Sequence, residues 1–480
     1  MKGQGEDMPD YFGVKATEKQ TAIVSPVKAS TAALVVGSAP VHQTGGKVNE
    51  VVIAVNFAEA VAAMGWSDDW EKYTICEAMY SHFRLYGVGP LLMVNVLDPE
   101  KHIGAEKTET VQMSNGQLRL NGDVLPSSIH LDGEYEAGVD YDVFFEDGVC
   151  ILEALDGGKL VGVESVQITY AEVEFSLADL KPDVIGGYDV STGQSAGLEL
   201  ADQAYFRTKV LPEPIIAPGF SQDAEVAAVM AAKAKNLSIV FRSFALCDLD
   251  ATQGSYQTAV NRKSSSKAFQ HVKERLCWPM LTMEGRKFHY STQLAGLMCQ
   301  LTANNDGIPS EPASNKELKA DGTILADGTE VFLDLNMANY LRGQGITTAL
   351  NFVNGFTSWG EYCACAPGVN DPKDLYCNVA RMVNYMANSV ILTYWSYIDQ
   401  KMTARLASSI ANRIDIWMNG LKSQGHLLGG RCELLSEENP DADIMAGIIR
   451  PHIYMAVPGP AQQIDFIVEY DAEYMKTILG

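Results

Sequence analysis

The pattern of hydrophobic and polar positions predicts an α/β core in two stretches of the chain. Near the start, the continuous apolar run STAALVVGSAP predicts a buried strand, and EVVIAV, the helix-like NFAEAVAAMG and the apolar strand PLLMVNVL follow it. Strands that alternate with helices are typical of a mainly parallel sheet with helices on its faces. The same texture returns after residue 187, where IIAPGFSQDAEVAAVMAAKAKN predicts a helix capped by Ser221, followed by a strand at LSIVF.

Between residues 99 and 186 the pattern changes to short segments in which apolar and polar residues alternate. The segments VQMSNGQLRL, DYDVFFEDGVCILEA and ESVQITYAEVEF are separated by NG, DG and GG turn signals, which are typical of β-hairpins. Because the α/β pattern resumes afterwards, we predict a small all-β domain inserted into a loop of the core.

The last quarter of the chain predicts two amphipathic helices and a terminal strand. Asp371 and Pro372 predict the start of the first helix. The apolar stripe of the first helix is Leu375, Val379, Met382, Val383, Met386 and Val390, and that of the second is Met402, Leu406, Ile410, Ile414, Trp417 and Leu421. The final strand, QQIDFIVEY, places Ile464, Phe466, Val468 and Tyr470 on one face. It is either the edge of its own sheet or an arm offered to another molecule.

These patterns divide the chain into six parts. We predict an N-terminal arm at residues 1–24, a first core part at 25–98, the inserted β domain at 99–186, a second core part at 187–370, a C-terminal α+β domain at 371–460 and a terminal strand arm at 461–480. The N-terminal arm is polar except for a β-prone patch that contains Ala22, Ile23 and Val24.

Charge and cysteine content narrow the classes of function. The formal net charge of −24 argues against a nucleic-acid groove, which needs clustered Lys and Arg. The chain contains no apolar run long enough for a membrane span, and MKGQGEDMPDYFGV lacks the apolar region of a secretory signal, so we expect neither. Nine scattered cysteines favour reduced thiols in a cytosol, and the CAC group lacks the spacing of a zinc site.

The sequence offers weak signals for catalysis. GQSAG fits the G-x-S-x-G nucleophile elbow around Ser195, but the preceding GGYDVSTG is too polar for the buried strand that an elbow requires. Gly343-Gln344-Gly345 is an incomplete dinucleotide fingerprint, no phosphate loop or H-E-x-x-H motif is present, and the eight histidines form no cluster. We predict no catalytic, cofactor-binding or metal-binding residues. The alternative hypotheses are a serine hydrolase or protease-like enzyme that uses Ser195, and an adhesin built on the β insertion.

Several long segments, in order along nearly the whole chain, resemble one family. DVIGGYDVSTGQSAGLELADQAYFRTKVLPEPIIAPGFS resembles the central signature of contractile-tail sheath proteins of bacteriophage tails and R-type bacteriocins. YFGVKATEKQTAIVSPVKASTAALVVGSAP is similar to the family's amino-terminal pattern, GFTSWGEY to its Trp-Gly segment, and the helix pair with QQIDFIVEY to its ending.

The resemblance implies a structural subunit with a subtilisin-like α/β core that carries no catalysis, since no protease triad motif is present. It implies hexameric rings that stack around an inner tube and contract to drive the tube forward, with energy stored in a metastable extended lattice. Terminal arms would be exchanged between neighbours through Ala22, Ile23, Val24, Ile464, Phe466, Val468 and Tyr470. Further implied partners are the tube, baseplate and tail terminator proteins, in a virion tail or tailocin particle assembled in the bacterial cytoplasm. We predict that Lys401, Arg405 and Arg413 face the tube.

Overall fold

The computed structural model describes residues 27–353 and 355–474 of the chain. The strands are β1 (Thr31–Gly37), β2 (Val51–Ala54), β3 (Leu91–Asn95), β4 (Lys107–Gln112), β5 (Gln117–Leu120), β6 (His130–Leu131), β7 (Tyr141–Glu146), β8 (Val149–Ala154), β9 (Ser165–Tyr170), β10 (Gly187–Asp189), β11 (Gln194–Ala196), β12 (Leu211–Ile216), β13 (Ala245–Asp248), β14 (Glu274–Cys277), β15 (Met280–Met283), β16 (Arg286–Phe288), β17 (Gly322–Ile324), β18 (Ile346–Asn351), β19 (Phe356–Trp359), β20 (Gly429–Glu433) and β21 (His452–Ala456).

The helices are α1 (Phe57–Met64), α2 (Thr74–Tyr80), α3 (Leu177–Ile185), α4 (Ala201–Thr208), α5 (Ala224–Lys235), α6 (Tyr256–Ser265), α7 (Tyr290–Asn304), α8 (Leu335–Gly343), α9 (Pro372–Leu375), α10 (Cys377–Tyr394), α11 (Ala404–Ser423) and α12 (Asp441–Met445).

The centre of the described fold is an eight-stranded sheet in the order β19-β18-β14-β13-β12-β1-β3-β2. Its inner pairs are parallel, and only the edge strands β2 and β19 run antiparallel to their neighbours. Strand β1 lies between β12 and β3, with Leu34 opposite Leu92, and is buried along nearly its whole length. A continuous apolar run is what a strand covered on both faces requires. The predicted α/β class with a large sheet is therefore confirmed.

A capping residue and a glycine set the ends of α1, and burial against the sheet positions α7. The side chain of Asn56 accepts a hydrogen bond from the Glu59 amide and begins α1, and Gly65 ends that helix with a φ of 78°. Helix α7 is buried on almost every side and packs on the central strands β1, β12, β13 and β14. A helix enclosed in this way has no polar face to show in its sequence pattern.

The alternating region forms two three-stranded sheets, β4-β9-β6 and β5-β8-β7, around an apolar cluster of their own. The β7–β8 hairpin turns at Asp147 and Gly148, both with positive φ, as the DG signal predicts. Asp123 attaches the region to the core, because its carboxylate accepts hydrogen bonds from the Lys72 ammonium and the Tyr73 hydroxyl, each at 2.6 Å.

Three local predictions differ from the structure. Residues 177–185 form helix α3 instead of continuing the all-β region to residue 186, and Leu180 of this helix packs in the main core. The cap of α5 is Asp223 and not Ser221, whose hydroxyl instead bonds the carboxylate of Asp248. LSIVF is a tight turn between Leu237 and Phe241, so the apolar letters there do not form a strand.

The C-terminal region contains the two predicted helices, α10 and α11, together with the hairpin β20–β21. Asp371 caps the short helix α9, with Pro372 at its first position, and the long helix begins two residues after α9 ends. Tyr385 of α10 lies against Trp417 of α11, with ring centroids 6.2 Å apart. The apolar stripes of both helices therefore face each other and the rest of the core.

Candidate functional site

The segment that follows β21 extends away from the fold. Residues 461–473 have no strand pairing within the described part of the chain, so the predicted strand QQIDFIVEY is not formed in the isolated subunit. Ile464, Phe466, Val468 and Tyr470 are 70% to 93% exposed. A strand requires a hydrogen-bonding partner along its length, and this single chain supplies none in the residues described.

The start of this segment is held by the body of the protein. The Asn378 side-chain amide donates a hydrogen bond to the carbonyl of Pro458 at 3.1 Å. The Arg342 guanidinium on α8 donates to the side-chain carbonyl of Gln462 at 2.7 Å. These two hydrogen bonds fix the segment between Pro458 and Gln462 against the C-terminal region and α8. The apolar residues after Gln462 extend beyond α8.

The hairpin β20–β21 presents the outer edge of β21, at which a further strand can pair. On the β20 side, the Cys432 amide already donates to the Asp415 carboxylate at 2.6 Å. Within residues 27–353 and 355–474, β20 and β21 pair only with each other. The Arg431 guanidinium lies 3.9 Å from the centre of the Tyr454 ring, and the two residues are directly opposite across the pair. Unpaired backbone groups at a strand edge are a site for pairing with another chain.

The predicted N-terminal arm residues Ala22, Ile23 and Val24 lie outside the described residues. The described chain begins at Val27, whose amide donates a hydrogen bond to the Thr393 hydroxyl of α10 at 2.9 Å. The amide of Ala29 donates to the Ser389 hydroxyl one turn earlier, at 3.2 Å. The amino-terminal end of the described chain is therefore attached to α10.

The three predicted tube-facing cations, Lys401, Arg405 and Arg413, line one shallow groove of about 360 Å³ at the start of α11. The Arg413 guanidinium donates a hydrogen bond to the Tyr397 hydroxyl. Among the described residues, no carboxylate oxygen lies within 4.0 Å of a charged nitrogen of these cations. The three cations thus form one basic surface, which an acidic partner could bind.

Ser195 does not occupy a nucleophile elbow. It lies in the short hairpin β10–β11, paired with Tyr188, and not at a turn from a buried strand into a helix. The described part of the chain contains no group of three or more His, Cys, Asp or Glu side chains that could hold a metal ion. In the same residues, no helix has the length and apolar character needed to cross a bilayer.

A buried polar network that the sequence reasoning missed lies at the start of α7. The His289 ring nitrogen Nδ1 is 2.7 Å from a carboxylate oxygen of Glu77, and the Ser291 hydroxyl donates to Asp248 at 2.5 Å. Burial opposes the charged ring, but the Glu77 carboxylate outweighs it and raises the pKa of His289 to about 9. Burial likewise raises the pKa of the Asp248 carboxyl.

This network joins α2, β13 and α7, and His289 is its partly exposed member. The hydroxyls of Ser221 and Ser291 belong to residues with no exposed surface, so neither can meet a substrate in solution. Its members are far apart in the sequence and follow no motif. One signal was present, since Asp248 ends a buried strand and a carboxylate there requires a partner.

The amino-acid sequence was compared with family models and with proteins of known function. No family model matches the chain. The tail sheath protein of Burkholderia phage BcepMu is 24% identical, with 98% of each chain covered. A putative prophage major tail sheath protein of Pseudomonas aeruginosa is also 24% identical, over 66% of this chain and 78% of that protein.

Among solved structures, the sheath complex of an extracellular contractile injection system in its contracted state, named PVC, has the same fold. The two chains superpose with a TM-score of 0.59 at 13% sequence identity, over 98% of this chain and 100% of the other. The sequence relatives and the shared fold agree over nearly the full length of the chain. Over nearly its full length the chain is similar to contractile-tail sheath proteins, and these similarities support the role of a structural sheath subunit.

Proposed function

We propose that this subunit polymerises as hexameric rings that stack helically around an inner tube, and that neighbouring subunits exchange their terminal arms. The observation that carries the proposal is the exposed apolar face of Ile464, Phe466, Val468 and Tyr470. An alternating segment of this kind adds readily to the edge of another sheet. The outer edge of β21 in a neighbouring copy is a suitable acceptor.

Arm exchange would contribute enough energy to hold neighbours together during a large movement. Each backbone hydrogen bond of an added strand contributes about 0.5 to 1.5 kcal/mol, and each fully buried apolar side chain about 1.5 to 3 kcal/mol. Three such side chains and several hydrogen bonds therefore give a contact of about 10 kcal/mol before ordering costs. Pro458-Gly459-Pro460, before the segment, would let the body of the subunit rotate while the strand stays paired.

We place the energy of contraction in the lattice itself. In this proposal the extended lattice is metastable, and the contracted lattice has more or better contacts between subunits. The PVC sheath was solved in its contracted state, and a helical sheath of the anti-feeding prophage of similar fold is also described as contracted. That this chain contracts in the same way is our proposal.

The basic surface of Lys401, Arg405 and Arg413 is our candidate for the contact with the tube. Its cations lack carboxylate partners among the described residues, although the chain as a whole carries a formal net charge of −24. An acidic patch on a tube subunit would complement it. Baseplate and tail terminator proteins are further proposed partners, within a virion tail or tailocin particle that is assembled in the cytoplasm.

From the family resemblance we likewise propose the division into arms, a core in two parts, an inserted β domain and a C-terminal domain. The resemblance also suggests that the core is subtilisin-like.

Electron microscopy of the purified full-length protein tests the proposed function. We expect rings or tubes. Monodisperse monomers across a wide range of salt and protein concentrations would contradict it.

A further inference from the structure

Two cysteines of the chain lie against each other inside the fold. The sulfur of Cys363, in the loop that follows β19, is 3.6 Å from the sulfur of Cys377, the first residue of α10. Both are free thiols, and neither residue has exposed surface. We call these two residues the cysteine pair.

The backbone on both sides holds the cysteine pair in place. The residues directly before the two cysteines form an antiparallel bridge with each other. The Cys363 amide donates a hydrogen bond to the carbonyl of Leu375 at 2.8 Å, and the Cys377 amide donates to the carbonyl of Glu361 at 2.9 Å. The two sulfurs of a disulfide are about 2.0 Å apart. The sulfurs therefore need to approach by less than about 2 Å, which rotation of the side chains supplies while the backbone bonds stay in place.

A third cysteine, Cys365, lies in the same loop but points its thiol to a different partner. This thiol donates a hydrogen bond to the carbonyl of Asp374 at 3.3 Å. Burial raises the pKa of Cys365 to about 11 and raises the pKa of Cys363 well above its ordinary value. Because the thiolate is the reactive form, these thiols react slowly near neutral pH and stay reduced in a cytosol.

We infer that the cysteine pair is a redox modification site, at which a hydroperoxide such as hydrogen peroxide forms a Cys363–Cys377 disulfide. In the first step, one sulfur attacks the peroxide, the oxygen–oxygen bond breaks, and a sulfenic acid and one water are formed. In the second step, the other sulfur attacks the sulfenic sulfur, the sulfur–oxygen bond breaks, and a second water leaves with the thiol proton. The two sulfurs lose two electrons in total, and the peroxide gains them. Hydrogen peroxide is small, and local openings of the packed fold admit it.

The disulfide ties the first long helix of the C-terminal region to the core sheet. The amide of Ala364, the residue after Cys363, donates a hydrogen bond to the carbonyl of Glu274 on β14 at 2.8 Å, so the loop is attached to that sheet. A bond that closes a loop of about 15 residues stabilises the fold mainly by restricting the unfolded chain. The timing of the reaction rests on the proposed function, in which subunits assemble in a reducing cytosol and the released particle meets an oxidising medium. Formation of the bond itself does not.

Peptide mapping of the full-length, monodisperse subunit tests the inference. The unmodified protein is treated with hydrogen peroxide under native conditions and quenched in acid, and its free thiols are alkylated before digestion. Fragment-ion spectra of the linked peptides show whether Cys363 or Cys365 carries the bond. We expect Cys363–Cys377 to be the main disulfide, with a yield at least about tenfold above that of any disulfide that contains Cys365, because its sulfurs are already in contact. A main disulfide that contains Cys365, or oxidation of the pair to sulfinic acids without a bond, would overturn the inference.

Two serine variants separate the cysteine pair from its neighbour. Peroxide should raise the unfolding temperature of the parent and of Cys365→Ser by about 3 °C, and dithiothreitol should reverse the rise. Cys377→Ser should show neither the bond nor the rise. An equal rise in Cys377→Ser would contradict the assignment. Because the peptide mapping uses the unmodified protein, it decides the inference even if a variant does not fold.

The inference and the proposed function can fail separately. A subunit that forms tubes but no Cys363–Cys377 disulfide under peroxide refutes this inference alone. A subunit that forms the disulfide but never assembles counts against the proposed function alone.

Discussion

Arg381 of helix α10 and Glu213 of strand β12 form an ion pair inside the protein, with the Nε and Oε1 atoms 2.9 Å apart. Both side chains are almost completely buried, and the Arg381 guanidinium also donates to the Thr302 hydroxyl of α7. Burial outweighs the nearby guanidinium and raises the pKa of the Glu213 carboxyl. The pair attaches the first long helix of the C-terminal region to the middle of the core sheet.

Removing one partner of this pair should destabilise the subunit strongly. We expect Arg381→Leu to lower the free energy of unfolding by about 3 to 5 kcal/mol, because it leaves an uncompensated carboxylate inside the protein. Urea unfolding of the monodisperse subunit measures this. The exposed pair Lys47–Glu50 offers the control, since Lys47→Leu should change stability by less than about 1 kcal/mol. Equal effects of the two variants would mean that the buried pair does not act as described.

The Glu77–His289 pair should make stability depend on pH. The pKa of His289 in the folded protein, about 9, lies above its ordinary value of 6.5. A raised pKa means that the stabilisation is complete below about pH 6.5 and is lost as the pH rises through about 9. Relative to His289→Gln, the parent should be more stable by about 3 kcal/mol near pH 6 and by little above pH 9.

Thermal or urea unfolding of both proteins at several pH values checks this difference. Taking the difference removes the contributions of Glu274 and Lys263, which titrate in both proteins and are not among the groups that shift the pKa of His289. An advantage of the parent that is constant between pH 6 and pH 10 would show that the ring is not charged in the folded state.

The C-terminal segment should be required for assembly and dispensable for folding. Among residues 462–474, deleting 462–480 removes exposed side chains together with the hydrogen bond from Arg342 to Gln462, so circular dichroism and the unfolding midpoint should hardly change. Electron microscopy should show no tubes. The point variant Phe466→Asp should have the same effect, and Ile467→Asp, on the opposite face of the alternating segment, should affect assembly less. Normal tubes from the deletion variant would refute the role of the arm.

Reversing charge on the basic surface should weaken binding to the tube without preventing self-assembly. We expect Lys401→Glu/Arg405→Glu subunits to form sheaths alone but to co-assemble poorly with the purified tube protein, with a defect that decreases at high salt. Lys422→Glu, at the far end of α11, is the matched control. Tube binding that is unchanged in the double variant would place the tube contact elsewhere.

Ser195 should have no part in any chemistry. Because it lies in a hairpin strand opposite Tyr188, a fluorophosphonate probe should not label it, and Ser195→Ala should assemble as the parent does. Specific labelling of Ser195, detected by peptide mass spectrometry, would revive the hydrolase hypothesis.

Local signals in the sequence were reliable where short-range chemistry decides the structure. The Asp371-Pro372 start of α9 and the Asp147-Gly148 hairpin turn both form as expected, because each depends on contacts within a few residues. The strand predicted at LSIVF was wrong, because contacts beyond the local pattern decide the structure there. Its apolar letters are typical of a strand, but the tight pairing of Leu237 with Phe241 leaves no length for one.

The amino-acid sequence by itself determined the α/β class, the two amphipathic helices, the alternating insertion, the absence of a nucleotide motif and the resemblance to the sheath family. All of these except the resemblance follow from periodicity and local chemistry within one segment at a time. The resemblance rests on several long segments that match the family's pattern in order. Only the tertiary structure decided that Glu77, Asp248 and His289 meet in one network, that Arg381 pairs with Glu213, and that the Val27 amide bonds the Thr393 hydroxyl of α10. Such contacts join residues many positions apart, and no local pattern encodes which distant partner a buried charge will have.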